Sequence, residues 1–346
     1  MNELLKQLTE VSGVSGFETD VRLLIRDLIA DHVDEWHVDA IGNLIAIRRG
    51  TGESDLRVLV DAHMDEVGLL VTGVDSNGTY KFATVGGLHS RALIGKVVKV
   101  GSGNLTGVIG SKPVHLLRRS QIDAQVRSES LRIDIGARSK DEASKKVKIG
   151  EPATFISDYE ELGQVAIGKA FDDRAGCAAL ISLLQRDRFA FDLVAVFTVQ
   201  EEVGLRGARV AAYGVKPDVA IVLECTPAYD LPNKREVSPN VALGKGPALY
   251  VMDAGTIQDP HLVSFITNVA YTNNINFQIR QPGGGGTNTA AIQRAGAGIP
   301  AATIATPARY IHGPVSMINL GDYENVVKLV DTTLRSLTRD SIARTI

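Results

Sequence analysis

Past residue 165 the chain alternates apolar runs of strand length with stretches of helical period, and it does so to the end of its last long helix. "DLVAVFTV", "DVAIVLE" and "IPAATIA" are strand-like; "RAGCAALISLLQRD", "RGARVAAYGV", "DPHLVSFITNVAYTN" and "GDYENVVKLVDTTLRSL" are helix-like. A short run, "NFQIR", and a glycine-rich loop, "GGGGTNTAAI", stand between them. Strands this uniformly apolar must be buried on both faces, and the intervening helices supply the cover. The N-terminal part follows the same pattern. Two helical segments precede a hairpin, "EWHVDAIGNLIAIRR", and then an apolar strand, "LRVLVDAHMDEVG", that runs into charge. Residues 67–163 break the pattern. They hold short β-runs split by Gly, Asn and Ser turns, with one clear helical stretch, "SKDEASKKV". The expected fold is therefore α/β: a mixed, mostly parallel sheet sandwiched by helices, with an inserted small β-barrel or sandwich. The expected division is 1–66 with 164–346 as one domain and 67–163 as the insert.

Composition narrows the function classes. Of 346 residues, 44% are hydrophobic and 22% charged, and the net charge is −3, which is ordinary for a globular chain. No basic patch of the kind that tracks phosphates is present, so no nucleic-acid partner is expected. Two cysteines are too few for a disulfide framework and both sit among apolar residues, which reads as buried free thiols. The first helix carries charge throughout, unlike a secretory leader, and no apolar run approaches the ~20 residues of a membrane span. A cytoplasmic protein without membrane contact is expected.

Chemistry gathers where the apolar runs stop. "VLVDAHMDEVG" ends with His63 and Asp65, "KAFDDRAG" holds Asp172 and Asp173, and "FTVQEEVG" holds Glu201 and Glu202. "AIVLECTP" supplies Glu224 and "TPARYIHGP" supplies His312. Each alone has a plain structural reading, such as a helix cap or a solvated strand end. Five in succession, in a fold type that collects function at the carboxyl ends of strands, point to one site. Carboxylates with imidazoles suit zinc, cobalt or manganese. Two such ions share a bridging carboxylate when ~3.5–4 Å apart. The adjacent glutamates then become unlike groups, one a ligand and its neighbour a general base.

At these residues the sequence resembles a known family. "AHMDEVG", "GKAFDDRAGC", "QEEVGLRGA" and "RYIHGPV", with "RIDIGA" of the insert, are similar to the dinuclear metal aminopeptidases that assemble as tetrahedral dodecamers. Glutamyl and deblocking aminopeptidases belong there, as do members once labelled endoglucanases. The resemblance spans essentially the whole chain and implies a zinc-peptidase-like fold. It implies two divalent metal ions per subunit, with His63, Asp172, Glu202, Glu224 and His312 as ligands and Asp172 as the bridge. It implies that Asp65 orients His63 and that Glu201 is the catalytic base and acid for a water activated by both metals. Asp173 and Arg174 follow as supporting residues. Which ion Glu202 and Glu224 each serve stays open. The implied substrates are peptides with free N-termini, and the implied assembly is a dimer through the insert that builds the dodecameric shell. Two departures stand out. Glu224 occupies a position where relatives often carry aspartate. Asn288 replaces an aspartate after Gly-Gly-Thr, which bears on substrate preference.

Two other readings compete. A glycoside hydrolase would work through two carboxylates. Aromatic content of 5% and a single tryptophan, Trp36, offer few platforms for sugar stacking, and the histidines have no part in that chemistry. A non-catalytic scaffold of the same fold would tolerate apolar replacements at the ligand positions, and none is present. His89 and His115 of the insert are structural histidines or residues that reach a neighbouring subunit's site.

Overall fold

The computed structural model describes residues 2–122, 124–231, 241–281 and 283–342. After helices α1 (Asn2–Glu10) and α2 (Thr19–Ile29) come strands β1 (Glu35–Val38), β2 (Leu44–Arg48) and β3 (Arg57–His63). Six strands follow: β4 (Gly68–Val74), β5 (Tyr80–Val85), β6 (Val97–Val100), β7 (Leu105–Gly110), β8 (Arg132–Asp134) and β9 (Pro152–Phe155). They close into a barrel in the order β4-β5-β8-β7-β6-β9, with helices α3 (Arg119–Ile122) and α4 (Lys140–Lys146) between them in sequence. Then come β10 (Glu160–Leu162), β11 (Val165–Gly168), α5 (Phe171–Leu184), β12 (Asp192–Thr198), α6 (Arg206–Val215), β13 (Val219–Pro227) and β14 (Ala248–Tyr250). The chain ends with α7 (Pro260–Thr272), β15 (Gln278–Arg280), α8 (Asn288–Gln293), β16 (Ala301–Arg309), β17 (Ser316–Asn319), α9 (Leu320–Ser336) and α10 (Arg339–Ile342). No helix among the described residues is long and apolar enough to cross a membrane.

The large sheet runs β1-β2-β12-β3-β13-β16-β17-β11-β10, with β14 and β15 attached beside β16. It is mixed, as expected, with parallel pairings at the centre, β12–β3, β3–β13 and β13–β16, and between β14 and β15; the expectation of a mostly parallel sheet holds for that centre alone, since antiparallel pairings outnumber the parallel ones. The flanks are antiparallel. The hairpin read from "EWHVDAIGNLIAIRR" is β1–β2. Its turn is held by Asp39, whose carboxylate accepts from the backbone N–H groups of Ile41, Gly42 and Asn43.

The period of two along each central strand sorts the core. Val58, Val60 and Ala62 of β3, with Leu193, Ala195 and Phe197 of β12, pack with the apolar residues of α1, α2, α5, α7 and α9. Leu59, Val194, Val196, Ala220 and Val222 face the other way, against α6 and α8. Continued along the strands, that second face receives Asp61, His63, Thr198 and Glu224. Helix α6 approaches closely because residue 207 is glycine. A Cβ there would lie 2.3 Å from Asn43 Oδ1 and 2.4 Å from the Val199 carbonyl.

The barrel has its own core of Leu69, Val71, Tyr80, Phe82, Val98, Ile109 and Ile133, among others. The Tyr80 hydroxyl donates to the Ala143 carbonyl of α4, which satisfies its polar end. A buried network around Glu66 ties the barrel to the large sheet. Glu66, just after β3, accepts from Lys169 Nζ at 2.8 Å on each oxygen. It also accepts from the Gly13 backbone at 2.9 Å and from the Thr154 hydroxyl of β9 at 3.0 Å.

Candidate metal centre

The parallel register brings the strand ends level. Thr198 at the end of β12 pairs with His63 at the end of β3. Glu224 lies in β13 beside Ala305 of β16, fully within the sheet, and His312 follows β16. Asp172 and Asp173 open α5 in non-helical conformations, joined by a cis peptide bond. Asp173 Oδ1 accepts from the Gly176 backbone at 3.0 Å, so it caps the regular part of the helix and frees Asp172 to face the cavity.

The side chains converge in two groups that share Asp172. Its Oδ1 lies 3.2 Å from His63 Nε2, and its Oδ2 lies 3.4 Å from His312 Nε2. Glu224 Oε1 is 3.6 Å from His63 Nε2, and Glu202 Oε2 is 3.3 Å from His312 Nε2. Among the described residues, the donor atoms of Asp172, Glu202 and His312 lie within 4.8 Å of one another. The same holds for His63, Asp173 and Glu224, and for His63, Glu201 and Glu202. All seven residues expected at the site are therefore near one another, and Asp173 joins them. At under 4 Å, and beyond the shared Asp172, Nε2 of His63 meets Glu224 and Nε2 of His312 meets Glu202, a division the sequence left open.

Asp65 organises the near side. His63 Nδ1 lies 3.2 Å from the Asp65 carbonyl and 3.4 Å from its Oδ1. With Nδ1 engaged there, Nε2 is the ring nitrogen that faces Asp172 and Glu224. The Asp65 carboxylate also accepts from the backbone N–H of Glu201 at 2.9 Å and of Glu202 at 3.2 Å, and from the Ser15 hydroxyl at 2.6 Å. One side chain thus sets both the histidine and the glutamate pair.

So many carboxylates in a buried space disturb their own ionisation. Burial pushes Glu224 up to about 7 and, helped by the charge of Asp172, pushes Glu202 up to about 8. Burial raises Glu201 and Asp173 well above the carboxylate range, with the charge of Glu224 adding to both. At Asp172 burial acts the same way, but the hydrogen bonds to His312 and His63 outweigh it and hold the carboxyl well below its usual range. His312 rises to about 9 through its hydrogen bond to Asp172 and the charge of Glu202. Burial would lower His63, yet the charge of Glu224 and the hydrogen bonds that its ring donates to Asp172 and Asp65 raise it. The cluster has more anion than its own cations offset, and Glu224 Oε2 and Asp173 Oδ2 are buried with no hydrogen-bond partner. Divalent cations would satisfy both deficits, so the donor set fits a metal centre.

A cavity of about 460 Å³ opens over the cluster, lined by Asp172, Glu201, Glu202, Glu224 and His312 on one side. The remaining wall includes Pro227, Tyr250, Arg280 and Gly284 to Gly286. Asn288 is not part of it. Its amide nitrogen donates to Asp61 Oδ2 and to the Thr198 hydroxyl, both at 2.8 Å, beneath the sheet end. The expectation that this position bears on substrate preference is therefore not carried by any contact with the cavity. His89 and His115 are exposed on the insert. Glu66, Lys169, Ser15 and Arg280 were missed from the sequence, since the partners that give each its place come from distant parts of the chain.

Comparison with known proteins agrees with this geometry. The model of the M42 glutamyl aminopeptidase family matches residues 42–329. The chain belongs to that family. A TET aminopeptidase from the marine sediment archaeon Thaumarchaeota archaeon SCGC AB-539-E09 is 37% identical, with 98% of each chain covered and a TM-score of 0.94. The Pyrococcus horikoshii TET1 peptidase, which assembles into a tetrahedron or a large octahedral shell, is 35% identical over 97% of this chain and 99% of its own, with a TM-score of 0.86. A Thermotoga maritima protein described as an endoglucanase is 42% identical over 98% of this chain and 97% of its own, with a TM-score of 0.80. As an M42 member the chain is a metal-dependent aminopeptidase, a hydrolase, and the cluster is its candidate dinuclear centre.

Proposed function

We propose that this M42 member removes N-terminal residues from peptides at the cavity over the cluster. His63, Asp172 and Glu224 would hold one divalent ion, and Asp172, Glu202 and His312 the other. The observation that carries this reading is Asp172, which offers a different oxygen to each imidazole. When bound, the two ions supply Lewis-acid activation of water and of the scissile carbonyl. Glu201 takes the proton released by the attacking water and returns it to the leaving amine. Its backbone is pinned by Asp65, so the side chain swings about a fixed point. Glu224 reaches its ion with one methylene more than aspartate would, and its second oxygen, which lacks a protein partner, is free to join the first. Zinc or cobalt suits this donor set best, with manganese next. A cytoplasmic setting fits two buried free thiols.

We place the division of the chain at 1–66 with 164–346 and 67–163, the second unit serving dimerisation. Val97 and Val108, opposite each other on β6 and β7, are 40% and 44% exposed, and Val114 and Leu116 lie open nearby in sequence. That apolar patch suits a copy of the same surface. Dimers would then build a dodecameric shell, by likeness to the Pyrococcus horikoshii peptidase.

The test is hydrolysis of aminoacyl-p-nitroanilides by the protein loaded with zinc, cobalt or manganese, before and after chelation. Glu201→Gln is expected to keep both metals and lose turnover by about 10³-fold or more. Near-parental turnover in that variant would remove Glu201 as the base.

A further inference from the structure

We propose that Glu18 is a positioning residue for the reaction, because it holds the backbone turn from which the Glu201 carboxylate is presented to the cavity. The inference rests on the reading of Glu201 as the general base. The turn follows β12, and four consecutive backbone N–H groups in it each meet a side-chain acceptor. Val199 donates to Asn43 Oδ1 at 3.0 Å and Gln200 to Glu18 Oε1 at 3.2 Å. Glu201 and Glu202 donate to the two oxygens of Asp65, at 2.9 and 3.2 Å. Gln200 takes the left-handed conformation, with φ of 56°, where its Cβ crowds the backbone. Glu18 is the side chain that meets the N–H of this strained residue.

Glu18 stands immediately before α2, yet its side chain does not cap that helix. It is 4% exposed and forms no ion pair among the described residues, and burial raises its carboxyl above the usual carboxylate range. A buried carboxylate held by backbone N–H groups alone is an unfavourable choice unless those groups need it. One of them is the Gly16 N–H at 2.7 Å, which fixes the carboxylate on its own loop; the other is that of Gln200. The loop is in turn anchored to the site. The Ser15 hydroxyl donates to Asp65 Oδ2 at 2.6 Å, the Ser15 N–H to the Glu66 carbonyl at 3.2 Å, and the Glu66 N–H to the Gly13 carbonyl at 2.9 Å. Residues 13–18 and Asp65 therefore form one cradle. Asp65 fixes the N–H of Glu201 itself and Glu18 fixes the N–H one residue earlier. Together they set the direction in which the Glu201 side chain leaves the backbone. Both donors to Glu18 are neutral amides, so the turn needs its oxygen rather than its charge.

The test measures kcat, KM and bound metal for the metal-loaded protein and its Glu18→Leu, Glu18→Gln, Glu201→Gln and E18L/E201Q variants. The substrate is the best cleaved of Glu-, Leu- and Lys-p-nitroanilide. Glu18→Leu removes the acceptor and should lower kcat about 30-fold, with KM and metal content unchanged. Glu18→Gln keeps an oxygen for both N–H groups and should stay within about threefold of wild type. In the E201Q background no base is left to misplace, so adding E18L should change the residual rate by less than about twofold. Should E18L fail to fold, Glu18→Asp replaces it: the charge stays, the oxygen is withdrawn by one methylene, and kcat should fall about fivefold. A kcat in the tested variant within experimental error of wild type would overturn the proposal and leave the aminopeptidase reading intact. So would the same loss in the E201Q background as in wild type, or a loss of about one metal equivalent, which would place the effect on Glu202. Near-parental turnover in E201Q alone would instead remove Glu201 as the base, and the proposal with it.

Discussion

The buried pair Glu66–Lys169 yields a prediction whose size depends on pH. Replacing Glu66 by Gln keeps an oxygen where Oε1 accepts from Gly13 and Thr154, and removes the negative charge facing Lys169. Were Lys169 to stay charged, the loss would be about 3–5 kcal/mol at any pH. It has a cheaper course. Burial already depresses its ammonium to about 8, despite the attraction of Glu66. Without that attraction the value falls further, Lys169 gives up its proton, and the neutral amine accepts a hydrogen bond from the Gln amide. In the wild type the unfolded chain holds more protons than the folded one between about 8 and the ordinary lysine value of 10.5, so stability decreases as pH falls through that window and then levels off. In E66Q the decrease continues below 8. The two proteins should therefore differ little at pH 9, by about 1.4 kcal/mol at pH 7 and by about 2.7 kcal/mol at pH 6. Urea denaturation at fixed protein and metal concentration, from pH 6 to 9, measures this difference. A gap that is constant across the range would show that Lys169 keeps its charge and would refute the neutralisation argument. The double variant E66Q/K169M should lose the pH dependence.

Three further outcomes are expected. Gly207→Ala forces a methyl group to within 2.4 Å of Asn43 and Val199, and should lower stability by about 2 kcal/mol or more in denaturant titration. Val108→Asp on the outer face of the barrel should leave the fold intact by circular dichroism yet shift sedimentation toward smaller species; an unchanged sedimentation coefficient would remove the patch from the dimer contact. His63→Ala and His312→Ala should each lower bound metal by about one equivalent per chain. Parental metal content in both would remove these imidazoles as ligands.

Much of this protein was legible in its sequence because the relevant signals are local. Strands buried on both faces need continuous apolar residues, and an ionisable group that ends such a run is visible as an interruption. That is why His63, Asp172, Glu201, Glu202, Glu224 and His312 stood out without coordinates. The β-runs of the insert were legible for the same reason, through turn residues at short spacing. The closed barrel order β4-β5-β8-β7-β6-β9 was not, because pairing between distant strands leaves no local trace. The same holds for the allocation of Glu224 to His63 and Glu202 to His312, which depends on distances across separate strands. Asn288 shows the limit most plainly. Its place after Gly-Gly-Thr suggested the substrate side, yet helix α8 turns it under the sheet to Asp61 and Thr198. Lys169 and Arg280 look like ordinary basic residues in sequence. Tertiary packing alone buried one against Glu66 and set the other on the cavity wall, because burial and charge pairing are properties of neighbours in space.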